Sequence, residues 1–146
     1  MTGVLVNGIP CKDPATVTPD DSFFSGVDRV SAGTVSRRYG FTALPVQIPG
    51  LNTLGASHVR VDVAPGAVFP PHYHPRASET AVGLLHFLYN NGTEPASLYA
   101  SLSSQNPGLV LLADALFGSG LPDDLLAKAF LTDVDTAHRI GEKFRA

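Results

Sequence analysis

A chain of 146 residues has room for one domain with a real core and none for two. Charged side chains make up 16% of it against 44% hydrophobic, which excludes a disordered polymer. The net charge is −3 and no run of Lys or Arg occurs, so neither nucleic acid nor an anionic membrane is an expected partner. Fourteen Gly and twelve Pro cut the chain into short segments, which argues against a helical bundle and for a mainly β body.

Residues 7–36 are rich in Asn, Gly, Pro, Asp, Ser and Thr and read as an irregular arm lying on a surface. From Ser57 the pattern changes: Val59, Val61 and Val63 alternate with His58, Arg60 and Asp62, the period-two signature of a half-buried strand. Pro65-Gly66 turns the chain. Val68, Pro70, His72 and His74 then fall on one face of a second extended segment, where Pro70 and Pro71 rule out a helix. A short apolar stretch from Ala81 to Leu88 runs into the turn signal Asn90-Asn91-Gly92. Ala96 to Leu102 alternates again, and Leu109 to Leu112 makes one more short strand after the turn at Asn106-Pro107-Gly108. Beyond Gly120 two helices are expected. The first has Pro122 in its opening turn, Asp123 and Asp124 against the helix dipole, and a stripe of Leu125, Leu126, Ala129 and Phe130. The second starts from Thr132 as N-cap and carries Val134, Ala137, Ile140, Gly141 and Phe144 on one side.

The chemistry concentrates in His72-x-His74-x4-Glu79. Strand alternation sends both imidazoles to one side, and the intervening residues, Pro75 among them, let the chain turn and return a carboxylate to the same spot. Two imidazoles and a carboxylate suit a divalent first-row metal with positions left open for a ligand. The competing reading is a set of solvated polar side chains on a proline-rich loop.

Gly66-x5-His72-x-His74-x4-Glu79 resembles the first motif of the cupin superfamily. Gly50-Leu51-Asn52-Thr53-Leu54-Gly55 and Pro70-Pro71-His72-Tyr73-His74-Pro75-Arg76-Ala77 are similar to the plant germin-like proteins within it. So are Val6-Asn7-Gly8 through Cys11-Lys12, Ser104-Gln105-Asn106-Pro107-Gly108, and Pro122 to Phe130, so the resemblance covers nearly the whole chain. It implies a single domain over 1–146: an N-terminal arm over 1–50, a cupin jelly-roll barrel over 51–118 and C-terminal helices over 119–146. It also implies one manganese ion, homo-oligomers built as hexamers (trimers of dimers), an extracellular place in the plant apoplast, and superoxide dismutase or oxalate oxidase activity on a small molecule. The family's fourth ligand is a His in a Gly-x2-His-x3-Asn setting, which Gly83-x2-His86-x3-Asn90 matches, so the resemblance makes His72, His74, Glu79 and His86 the metal ligands, with no catalytic residue beyond them.

The chain departs from the pattern in one place that matters. Several strands separate the two motifs in the family, whereas six residues lie between Glu79 and His86, so the barrel is expected to be incomplete. The family's first arm cysteine and its signal peptide are also missing ahead of Cys11, and the chain reads as shortened there too. Seven residues in a straight strand span roughly 23 Å, so Glu79 and His86 share an ion only if the chain folds back sharply around Val82-Gly83. The lost strands would leave backbone edges and apolar faces open, which favours association. The alternative is a catalytically inactive shortened form acting as a cell-wall structural or binding protein.

The remaining candidates weigh less. His58, on the polar side of its strand, and His138, on a surface helix, read as solvated histidines. Asn91-Gly92-Thr93 is an N-glycosylation sequon with Asn91 as acceptor if the chain is secreted. The single Cys11 is expected to be a free thiol.

Overall fold

The computed structural model describes residues 4–6, 9–28, 34–46, 48, 50, 54–79 and 84–145. The arm forms a two-stranded ladder, β1 (Leu5–Val6) with β2 (Ile9–Pro10), followed by three 3-10 turns at Pro14–Thr16, Pro19–Ser22 and Gly26–Asp28. Prolines open the first two of these turns. Asp13 accepts from the Ala15 amide, and Asp21 accepts from the Thr18 amide at 2.7 Å while pairing with Lys12 at 2.8 Å.

Two antiparallel sheets make the body. The first runs in the order β3 (Thr34–Ser36), β4 (Phe41–Val46), β5 (Ser57–Val63), β8 (Ala96–Leu102), and the second in the order β7 (His86–Tyr89), β6 (Val68–Tyr73), β9 (Val110–Leu111). β5 and β8 pair over their full lengths, from Ser57↔Leu102 to Val63↔Ala96, where the alternation of small aliphatic and polar residues placed them. The sheet also takes in β3 and β4, so strands upstream of residue 50 form part of the body's wall. Phe41, Val61 and Val63 of the first sheet meet Phe69 of the second in the core, with the Phe41 and Phe69 rings 4.0 Å apart between centroids.

The bend between β5 and β6 is closed by Gly66 at φ +70°, a left-handed conformation that suits a residue without Cβ. Its amide donates to the Asn90 carbonyl at 2.9 Å, and the buried Asn90 side chain donates to the carbonyls of Val63 and Glu94 and accepts from the Gly92 amide. One side chain thereby fastens the end of β7 to two neighbouring turns.

Among the described residues the two sheets do not close into a barrel. β7 pairs only with β6, and the free side of β8 carries a single isolated bridge, Leu102↔Glu79. As the short spacing between the motifs implies, apolar surface lies open there: Leu84 is 80% and Phe87 59% exposed.

Three C-terminal helices follow instead of two. The Leu109 to Leu112 segment is a strand only at Val110–Leu111 and turns into α1 (Leu112–Phe117), while α2 (Asp123–Ala129) and α3 (Val134–Gly141) are the expected pair. The cap of α3 is Asp133, one residue after Thr132, because its carboxylate reaches the Thr136 amide at 2.7 Å and the Thr136 hydroxyl at 2.8 Å. Leu126, Ala127 and Ala137 form the helical core with Phe117 against it, and Phe117 stacks on Phe130 and Phe144. The α2 stripe is therefore rotated from the expected one: Ala127 is buried and Leu125 and Ala129 are exposed. On α3, Val134 is exposed and the other members of its stripe turn inward. No described helix is long and apolar enough to cross a membrane.

Candidate metal centre

β6 carries the first ligands, and its two prolines decide how. Pairing with β7 matches Phe69 to Leu88 and His72 to His86, with a register shift between them, because Pro70 and Pro71 offer no amide to the ladder. The resulting bulge puts Phe69 on the same side as His72. Regular alternation placed Pro70 there; the cavity wall instead holds Phe69, whose ring lies 4.3 Å from that of His72.

After His74 the chain turns through Pro75 and lies along the segment from Leu102 to Gly108. The Arg76 amide donates to the Pro107 carbonyl at 3.1 Å, and the Arg76 guanidinium donates to the Asn106 backbone and side-chain oxygens at 2.8 Å each. Ser78 and Ser103 exchange two hydrogen bonds of 2.9 Å. This ladder delivers Glu79 to the same place as the histidines.

His72, His74, Glu79 and His86 each offer one ligand atom, and these four atoms lie within 4.8 Å of one another. Bonds of about 2.1 Å to one ion place its ligand atoms at most about 4.2 Å apart, so the cluster needs roughly 0.6 Å or more of closure. Glu79 Oε2 is 2.7 Å from His86 Nε2 and 3.4 Å from His74 Nε2. The Nδ1–H of His72 donates to the Pro70 carbonyl at 2.8 Å and that of His74 to the Gly108 carbonyl at 2.5 Å, which leaves Nε2 of each ring with its lone pair available. His72 and His86 are buried, 3% and 8% exposed. Burial pushes the His72 imidazole down to about 4, against the Pro70 hydrogen bond that favours its charged form, and the nearby His86 and His74 push the same way. A ring that stays neutral near pH 7 is a ready ligand.

The fold-back that this convergence requires is met by the side chains, while its proposed pivot, Val82-Gly83, lies outside the described residues. Of the other sequence candidates, His58 sits opposite Ser101 across β5 and β8 and bonds its hydroxyl at 2.7 Å. His138 is exposed and pairs with Asp123 at 2.8 Å. Cys11 is an exposed free thiol, and Asn91 is exposed in the turn between β7 and β8. The Arg76–Asn106 clamp and the Gly108 carbonyl were missed. Asn106-Pro107-Gly108 signalled a turn, and Gly108 at φ +68° bears that out, but nothing in its residue types showed which side chain it would meet.

A cavity of about 400 Å³ opens beside the four ligands between the two sheets. An antiparallel two-sheet fold that converges three imidazoles and a carboxylate at the head of an apolar cavity has the donor set to hold a metal ion. A model of the cupin family matches residues 31–84 and again 80–138. Germin-like protein 5-1 of Oryza sativa subsp. japonica is 58% identical over 180 aligned positions, 97% of this chain and 78% of the relative. Germin-like protein subfamily 2 member 3 of Arabidopsis thaliana is 41% identical over 179 positions, 97% of this chain and 81% of the relative. A solved oxalate oxidase superposes with a TM-score of 0.79 at 32% identity, over 99% of this chain and 90% of that one. The chain belongs to the cupin family and, within it, to the germin-like proteins. The two family matches meet at 80–84, between Glu79 and His86. Since 97% of 146 residues is about 142, close to 38 of the 180 positions aligned with the rice relative have no residue in this chain.

Proposed function

We propose that this germin-like cupin binds one manganese ion through His72, His74, Glu79 and His86 and that, so loaded, it has activity of the superoxide dismutase or oxalate oxidase type. The observation that carries the reading is the convergence of four ligand atoms within 4.8 Å, His86 included, despite the short link from Glu79. Manganese, when bound, supplies one-electron redox cycling and an open position for a small oxygen ligand. The chain's own residues supply the rest. The carbonyls of Pro70 and Gly108 fix the ring orientations of His72 and His74, Glu79 brings a carboxylate to the three imidazoles, and aliphatic side chains line the cavity beside them.

The likeness to a solved oxalate oxidase supports this class of chemistry. The germin-like relatives support assembly into homo-oligomers, placement in the extracellular space of the plant and, in that setting, glycosylation at the exposed Asn91. The test is metal analysis of the purified protein followed by superoxide dismutase and oxalate oxidase assays on manganese-loaded samples, beside His86→Ala. Retained manganese, with activity that disappears in His86→Ala, is the expected result. Folded protein that retains no manganese overturns it.

A second reading rests on the open edges of β7 and β8: the chain is an inactive shortened form that serves as a structural or binding protein of the cell wall. Retained manganese without either activity, beside an active version carrying the rice relative's extra segment, would select it.

A further inference from the structure

The arm crosses the outer side of the first sheet and leaves a second cavity, of about 210 Å³, between itself and the strands. Strand alternation turns Val61, Leu98 and Leu102 toward the metal centre and Tyr99 and Ser101 away from it. Phe24 and Val27 of the arm, with Ile48, line this space together with Tyr99, Ser101 and His58, and of these six only His58 also borders the metal cavity. The arm is fastened over it: the Val27 carbonyl accepts from the Arg60 guanidinium and, at 3.4 Å, from the Tyr99 hydroxyl, while Arg60 lies over the Tyr99 ring at 5.6 Å. Gly26 keeps the space open. A Cβ there would lie 2.6 Å from Phe24 Cζ, so the Phe24 ring lies back over the arm's own backbone only because residue 26 has no side chain.

The walls are aromatic and aliphatic, and among the described residues no Lys, Arg, Asp or Glu lines them. Their polar chemistry is one pair, His58 Nδ1 and the Ser101 hydroxyl, 2.7 Å apart. The volume is below the roughly 300 Å³ at which drug-sized sites begin, which suits a single ring. Phe24 and Tyr99 offer that ring aromatic surface. A hydroxyl on the ring answers the imidazole in either tautomer, because it donates to a bare nitrogen and accepts from an N–H. We infer that this cavity is a binding site for a small neutral phenol, whose hydroxyl is recognised by His58 and whose ring lies between the arm and Tyr99. A bound phenol touches both the arm and the strands, and so ties one to the other. The site needs no ion and stands independently of the manganese reading.

The test is a titration of the protein with para-fluorophenol and, in parallel, with para-fluorotoluene, followed through the fluorine resonance of the probe and the ring resonances of the protein. Saturable binding is expected, about 5-fold tighter for the phenol, with shifts of the His58 and Tyr99 ring resonances. His58→Phe should weaken the phenol by about that factor and leave the fluorotoluene unchanged. Gly26→Ala should weaken both probes, because its methyl drives the Phe24 ring into the space, whereas Leu98→Ala, at the metal cavity, should weaken neither. Absence of saturable phenol binding, equal affinity for the two probes, or His58 and Tyr99 resonances that do not move overturns the inference. So does phenol binding that is weakened by Leu98→Ala and untouched by Gly26→Ala, which would put the phenol at the metal centre. The comparison of the two probes on the parent protein decides the outcome by itself should a variant fail to fold.

Discussion

Glu79 and His86, with six residues between them, bring Oε2 and Nε2 to 2.7 Å of each other inside the protein. The rice relative aligns over close to 38 positions that have no residue in this chain, yet here the carboxylate and the imidazole still meet. The two side chains therefore belong to one site, and removal of either should be felt at the other. His86→Ala and Glu79→Gln are each expected to lower manganese affinity by about 100-fold or more, measured by calorimetry, because each removes a ligand and leaves its partners without a shared ion. Wild-type affinity in His86→Ala would show that the contact is a hydrogen-bonded pair without a role in metal binding.

The clamp between Arg76 and Asn106 holds the Gly108 carbonyl against His74. Arg76→Ala should weaken manganese binding by about 10-fold through misorientation of that ring, and Arg76→Lys should recover part of the loss. Imidazole nitrogen spectra of the metal-free protein provide the check: His74 should be the Nδ1–H tautomer in the parent and a mixture in Arg76→Ala.

Stability of the metal-free protein should fall as the solution is acidified from about pH 6.5 to pH 4. His72 is near 4 in the folded chain and near 6.5 when unfolded, so the unfolded state takes up its proton first. The contribution is fully present above pH 6.5, is lost as pH falls through 4, and amounts to about 3 kcal/mol. Urea denaturation across that range, compared with His72→Gln, isolates it; parallel pH profiles for the two proteins would remove His72 from the account.

Leu131 follows α2 at φ +54° with its side chain 94% exposed. A left-handed Leu is strained and buries nothing, so Leu131→Gly should stabilise the protein by up to about 1 kcal/mol. Thermal unfolding should show a midpoint about 2–4 °C higher, and an unchanged or lower midpoint would count against strain at this position.

How far the sequence could be read follows from how local each signal is. β5 and β8 were legible to the residue, since their alternation of aliphatic and polar side chains answers to one buried face. His72, His74 and Glu79 were legible as a candidate cluster because strand alternation puts both imidazoles on one side and the spacing lets a turn bring the carboxylate back, whereas His86 came from a resemblance and a permissive glycine. The placement of Phe69 was not legible: two prolines in a row forbid a helix, and nothing local says that they will also shift the pairing by a residue. α1 was hidden because Leu109 to Leu112 is as apolar as a short strand, and its tether is a long-range bond from the Tyr39 hydroxyl to Asp114 at 2.9 Å. The α3 cap slipped by one position between two adjacent good capping residues, Thr132 and Asp133, and only the geometry of the turn chooses between them.

The compression of the four ligands into the interval from His72 to His86 also bears on the order in which the molecule assembles. Gathering donors that lie fourteen positions apart closes a much shorter loop than one lengthened by the close to 38 positions that the rice relative has and this chain lacks. The entropy saved is about 1 kcal/mol. An ion held there would favour early pairing of β6 with β7, ahead of the more distant pairing of β5 with β8.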